Sequence, residues 1–254
     1  MAFQTILFSS EEGIATITLN RPEFSNAMDQ QMANELVEAI RTVSQDEETR
    51  VLVLKGAGRS FCTGADAQFG KVRTGQVTVE EMKIWPETDR ELRRGNIPPK
   101  PQRYIFLGLQ RLDKPTIAVV NGVASGLGYD LALACDIRIG SPQTMFVIGY
   151  TTLGVPPDSG GAWLMPRVMG LSKALEYLFT GDFCPADEAH RIGLLNRVVL
   201  AEHLEEETMR LARRIATMPA IALGLSKLAV YKGLRMNLGT ALAFAAACRA
   251  EATP

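Results

Sequence analysis

The stretch VNGVASGLGYDLALACDI, Val120 to Ile137, constrains this chain more than any other part of it. An apolar, β-branched run, Thr116 to Val120, reads as a strand and breaks into Gly122, Gly126 and Gly128. A helix-like apolar run follows at once and carries an acid, Asp130, in its first turn. The fold must therefore pass from a buried strand straight into a helix whose N-terminus is approached closely by other backbone.

Three uses of such a junction are open. Gly126-Leu127-Gly128-Tyr129-Asp130-Leu131 begins like a dinucleotide fingerprint, but Leu131 stands where the third glycine would allow close helix–strand packing. The glycines could also be purely structural, easing a tight turn. In the third reading the junction is an anion site. A helix N-terminus presents unpaired N–H groups and the positive end of the dipole. Such donors stabilise negative charge as it develops on a carbonyl oxygen, and an acid one turn inside can exchange protons with the neighbouring carbon. Two other loops favour this reading. FCTGAD, Phe61 to Asp66, is a second glycine-bearing strand–loop–helix junction, and GVPPDSGG, Gly154 to Gly161, brings a second acid, Asp158, beside a helix expected to open near Ser159. Two anion-binding turns and two isolated carboxylates suit proton transfer on an enolisable acyl compound.

Elsewhere the pattern is that of an α/β protein. Phe3 to Phe8 and Ile14 to Leu19 read as a hairpin around SSEEG, and a helix from Asp29 shows Met32, Leu36, Ile40 and Val43 on one face. VLVLKG, Val51 to Gly56, is apolar enough for a strand covered on both faces. Residues 68–102 read as a polar, partly helical insert. A helix is expected over Tyr104 to Leu112, and short strands over Asp136 to Ile139 and Met145 to Val147. Helices are expected from Leu171 on, with Leu204, Thr208, Leu211 and Ile215 sharing one face. Alternating strands and helices followed by helices alone predict a core over residues 1–200 and a helical region over 201–254.

At 254 residues, 46% apolar and 22% charged, the chain can bury a sizeable core. A formal net charge of −1 argues against a nucleic-acid or anionic-membrane partner. No apolar run approaches the roughly 18 residues of a membrane span, and the N-terminus shows no signal-peptide pattern. The four cysteines form no CxxC pair, which points to a reducing, cytoplasmic setting. His190 and His203 have no neighbouring ligand residues, so no metal site is expected.

Five motifs in order then carry a resemblance: NRPEFSNAM, SFCTGAD, KPTIAVVNGVASGLGYDLALACDIRI, LGVPPDSGGAWLMPRVMG and ADEAHRIGLLNRVV. Together they resemble the enoyl-CoA hydratase/isomerase, or crotonase, superfamily. The resemblance implies a spiral of ββα turns followed by helices that build trimers or pairs of trimers, a coenzyme A thioester as substrate, and no metal or redox cofactor. It implies an oxyanion hole made by the N–H groups of Ala65 and Leu127. Gly64, Asp66, Gly126, Tyr150 and Lys227 are then expected near substrate, Lys227 toward the CoA phosphates. It also implies that relatives continue beyond AEATP.

The acids depart from the hydratase pattern. Hydratases of the family resemble this chain with glutamate where Asp130 and Tyr150 stand, whereas dienoyl-CoA isomerases carry aspartates at the positions of Asp130 and Asp158. The VPPDSGGAWLMPR run is similar to that of isomerases of phenylacetate breakdown. The expectation is therefore a double-bond shift with Asp158 as principal base and Asp130 as its partner. Hydration, thioester hydrolysis and decarboxylation remain open on the same oxyanion hole.

Overall fold

The computed structural model describes residues 3–66 and 101–252, so the insert read over residues 68–102 lies almost wholly outside the described part. Among the described residues the strands form two sheets, one of six strands and one of four. β1 (Ile6–Glu11) and β2 (Ile14–Leu19) make the antiparallel hairpin at the edge of the first. The strand runs through Ser9 to Glu11, which the sequence pattern assigned to the turn. Only Glu12 and Gly13 turn the chain, both at positive φ (52° and 75°), and main-chain pairing with β2 extends the strand through exposed polar residues.

The spiral follows from strands taken alternately by the two sheets. β3 (Val51–Gly56) joins the larger sheet and β4 (Ser60–Cys62) the smaller. β5 (Thr116–Val120) and β6 (Val123–Ser125) repeat the step, as do β7 (Ile137–Gly140) and β8 (Met145–Val147). Pairing within each of these series is parallel. The sequence pattern missed two short strands, β9 (Phe183–Pro185) and β10 (Arg197–Val198), which close the sheets within a stretch read as helical.

Both faces of β3 are covered, which is why its sequence lacks polar alternation. Leu52 and Leu54 pack into the main core with Leu36 and Ile40 of α1 (Gln30–Gln45) and Leu109 of α2 (Pro101–Arg111). Val51 and Val53 face the other way, onto Ile117, Val119, Ile139 and Leu204. Each fully buried side chain of this size contributes about 1.5–3 kcal/mol. Asp29 caps α1, its Oδ1 accepting from the Met32 amide at 2.7 Å.

After β10 the chain is helical: α7 (Leu204–Ala216), α8 (Ala220–Gly233) and α9 (Leu238–Ala252) follow α3 (Leu127–Ala134), α4 (Gly161–Met169), α5 (Leu171–Thr180) and α6 (Ala186–Arg191). α7 lies on the larger sheet through Leu204, Thr208 and Ala212. α8 and α9 bury almost nothing: Ile221, Val230, Leu238 and Leu242 are all more than 60% exposed. Among the described residues no helix is long and apolar enough to cross a membrane.

Candidate active site

Glycine contacts join the two junctions singled out in the sequence. Helix α3 sits so close to β4 that a Cβ on Gly128 would lie 2.1 Å from the Cys62 carbonyl oxygen. The loop after β4 returns the contact. Gly64 takes φ of 103°, and a Cβ there would meet Ser125 O at 3.0 Å and Leu127 N at 3.8 Å. The loop bearing Ala65 and the helix start bearing Leu127 are thus held side by side. The N–H groups of Ala65 and Leu127 have no acceptor among the described residues. Gly126, between them in space, donates to Val147 O at 3.2 Å, while its carbonyl accepts from the Asp130 amide at 3.0 Å.

A third loop, Asn20 to Met28, braces this arrangement, and its role was not read from the sequence. Met28 N donates to Gly64 O at 2.8 Å and Asp66 N donates to Met28 O at 2.9 Å, so the chain on each side of Ala65 is fixed. The Arg21 guanidinium reaches Asp66 Oδ2 at 3.1 Å and Asp29 Oδ2 at 3.3 Å. Asn26, fully buried, donates to the Ala57 and Ser60 carbonyls at 2.8 Å. An asparagine and an arginine a few residues apart in a polar loop were the available signal. The Asp66 carboxylate therefore braces its own loop through Arg21.

Asp130 is fully buried in the first turn of α3, and neither carboxylate oxygen has a hydrogen-bond partner among the described residues. Burial pushes its pKa up to about 7; the neighbouring Tyr150 hydroxyl and Gly161 amide hold it lower than burial alone would, and the Asp158 charge adds to the rise. Helix α4 meets this carboxylate at a glycine, since a Cβ on Gly161 would lie 2.4 Å from Asp130 Oδ1. Tyr150 is 7% exposed and its hydroxyl is likewise unpartnered among the described residues. Burial first, then the Asp130 charge, raises its pKa far above the usual phenol range.

Asp158 stands in the exposed turn before α4, where Ser159 Oγ donates to its Oδ1 at 3.3 Å. The helix opens at Gly161, two residues later than the pattern suggested, and its N-cap Gly160 offers no side chain. Asp158 is thus free of the capping task that a helix start at Ser159 would have given it. It lies near enough to Asp130 for the two charges to act on each other.

Lys227, expected toward the CoA phosphates, is tied into the protein by its own contacts. Its Nζ lies 2.8 Å from Asp136 Oδ2 and donates to the Leu109 and Lys114 carbonyls at 2.9 and 3.1 Å. All three ammonium hydrogens are engaged. Asp136 also accepts from the Thr116 amide at 2.7 Å and the Tyr231 hydroxyl at 2.8 Å, so the cluster ties α8 to the sheet. A cavity of about 1450 Å³ opens between α2, α4 and α8, bordered by Phe106, Gly160, Trp163 and Tyr231. It touches the start of α4 but is not lined by Ala65, Leu127, Asp130 or Asp158.

The comparisons with known proteins agree with this geometry. The enoyl-CoA hydratase/isomerase family model matches residues 9–252. The 1,2-epoxyphenylacetyl-CoA isomerase of Escherichia coli is 38% identical over 93% of this chain and 86% of its own length. The crotonyl-CoA hydratase of Syntrophomonas wolfei is 34% identical over 97% and 88%. The solved enoyl-CoA hydratase of Bacillus anthracis superposes with a TM-score of 0.85 at 29% identity, covering 98% of this chain and 91% of that one. With two sheets wound as a spiral, five motifs in order and relatives matched nearly end to end, the chain belongs to the enoyl-CoA hydratase/isomerase family.

Proposed function

We propose that the protein shifts a double bond along the acyl group of a coenzyme A thioester. The observation that carries this reading is the pair of acids. Asp130 is a buried carboxylate poised near neutral pH, Asp158 stands exposed beside it, and a tyrosine, in place of a third acid, fills the space against Asp130. The Ala65 and Leu127 N–H groups receive the thioester oxygen. Asp158 takes a proton from carbon, and the electron pair moves through the conjugated chain onto that oxygen. Asp130, which holds a proton for much of the time near pH 7, gives one to another carbon as the pair returns. The balance is one proton removed and one added, so the chemistry draws on no metal or redox group. The name of the E. coli relative supports an isomerase; the names of the hydratase relatives keep water addition as the second reading.

The test incubates the protein with 2-enoyl-, 3-enoyl- and 3,5-dienoyl-CoA in deuterated water and reads product mass together with double-bond position. A bond shift with deuterium but no added water is expected, falling at least a hundredfold in Asp158→Asn and in Asp130→Asn. Water addition that survives Asp158→Asn would reverse the assignment.

The same reading includes a cytoplasmic homotrimer or pair of trimers, with the helices after residue 200 serving assembly. Phe179 and Phe183 are 73% and 65% exposed, and the apolar side chains of α8 and α9 add to the uncovered surface; areas of this kind mark interfaces. Sedimentation at micromolar concentration is expected to give three or six times the chain mass of 27.7 kDa. A single-chain mass would refute it.

A further inference from the structure

Asp130 Oδ1 and Oδ2 and the hydroxyls of Tyr129 and Tyr150 are all buried without partners among the described residues, and of the two hydroxyls it is that of Tyr150 that bears on the Asp130 carboxylate as a donor. Leaving a donor and an acceptor unpaired side by side out of water is costly to both, and native interiors rarely do so. Their surroundings leave few other solutions. The groups facing Asp130 among the described residues are Tyr129 on its own helix, Tyr150 from the loop after β8, Asp158 from the turn before α4, and the Gly161 amide of α4. None is a cation, Asp158 carries the same charge, and the Gly161 amide is a single donor for two carboxylate oxygens. Tyr150 is held in place from behind, its carbonyl accepting from the Leu153 and Val155 amides at 3.1 Å. Its hydroxyl stays protonated at any working pH and can only donate to a carboxylate.

We propose that the Tyr150 hydroxyl donates a hydrogen bond to the Asp130 carboxylate whenever that carboxylate is ionised, and thereby sets the pH range in which Asp130 carries protons. Tyr150 is then a positioning residue as well as a wall of the site. The inference deepens the double-bond-shift reading and rests on it for its catalytic meaning. Its physical content stands apart, because hydrogen bonding to the charged form alone lowers the proton affinity of a carboxylate. When Asp130 takes up a proton, the bond weakens and the hydroxyl is released. The pair thus behaves as one unit with two arrangements.

The test titrates the protein with its aspartate side-chain carboxyl carbons labelled with carbon-13, following the Asp130 resonance, assigned by its loss in Asp130→Asn. The parent midpoint is expected near pH 7, and Tyr150→Phe is expected to raise it by about one pH unit, the size of one lost hydrogen bond to a charged group. An unchanged or lowered midpoint in a variant that keeps its circular dichroism would overturn the proposal. Should Tyr150→Phe fold poorly, 3-fluorotyrosine supplies a stronger donor of nearly the same shape. It is expected to lower the midpoint, and no shift would again overturn the idea. In turnover, Asp130 as donor loses its proton as pH rises through the midpoint, so the alkaline fall in rate moves upward in Tyr150→Phe. If no double-bond shift is found at all, the titration still reads the Tyr150–Asp130 bond, and the two failures are told apart.

Discussion

Gly64→Ala is expected to lower kcat/KM for the double-bond shift by about a hundred- to a thousandfold, the effect of losing one oxyanion donor. Two features make this position unforgiving. Its φ of 103° lies where side chains are strained, and the added methyl would press on Ser125 O at 3.0 Å and approach Leu127 N at 3.8 Å. Relief can come from rotating the Gly64 peptide or from pushing the Ser125–Leu127 segment away. Either movement changes the spacing of the Ala65 and Leu127 N–H groups, because both flank the contact. The bridge between Met28 and Ala65 resists the first movement, and the packing of Gly128 on Cys62 resists the second. Strain of about 1–3 kcal/mol accompanies the change, so the assay belongs well below the melting temperature, with folding followed by circular dichroism. A kcat/KM within threefold of the parent would show that the two donors do not act together.

The glycines were legible because close backbone approach leaves a compositional mark that no other residue can replace. Gly64 and Gly128 are where the two segments pack closely, Gly126 supplies a positive φ of 49° at the turn, and Asp130 lies in the first turn of α3 as its position in the sequence suggested. Strands covered on both faces were legible for the same reason: Thr116 to Val120 and Val51 to Gly56 have no solvent face to show. What escaped were features decided at a distance. β9 and β10 are short strands recruited by sheet edges already in place, and their own residues carry little preference. The start of α4 lies at Gly161 rather than Ser159, with Gly161 packed against Asp130 and Gly160 at a φ of 120° as the N-cap.

Charged residues misled most. Lys227 reads like any solvated lysine, yet its ammonium is claimed by Asp136 and by two carbonyls 113 and 118 residues earlier in the chain. Arg21 sits in a stretch that local pattern marks only as loop, and only its contacts with Asp29 and Asp66 show that it braces the Ala65 turn. Burial of Asp130 was equally hidden, since an acid in a first helical turn is ordinarily a solvated partner of the dipole.

That burial carries a second large effect. Asp130→Asn is expected to make the protein more stable at pH 8 by about 2–4 kcal/mol while removing activity. In the folded chain burial raises the Asp130 pKa to about 7 from its ordinary value of 3.8. The sign follows from the protons bound. Below about pH 4 the carboxyl is protonated in both folded and unfolded chains and adds no pH-dependent penalty. Between there and about pH 7 the folded chain holds the proton and the unfolded chain does not, so stability falls as pH rises. Above pH 7 the folded chain carries a buried charge, and the full difference of about three pKa units, about 4 kcal/mol, has been lost. Asparagine never takes that charge, although its amide group needs a partner of its own, which trims the gain. Urea unfolding at matched protein concentration and pH 4.5, 6 and 8 should show the gap between variant and parent widening with pH. A gap that is independent of pH, or a variant less stable at pH 8, would mean that the carboxylate is better solvated than its burial implies. A gap that widens with pH would support a chemical role for Asp130, since a residue that weakens the fold at working pH brings no gain in stability.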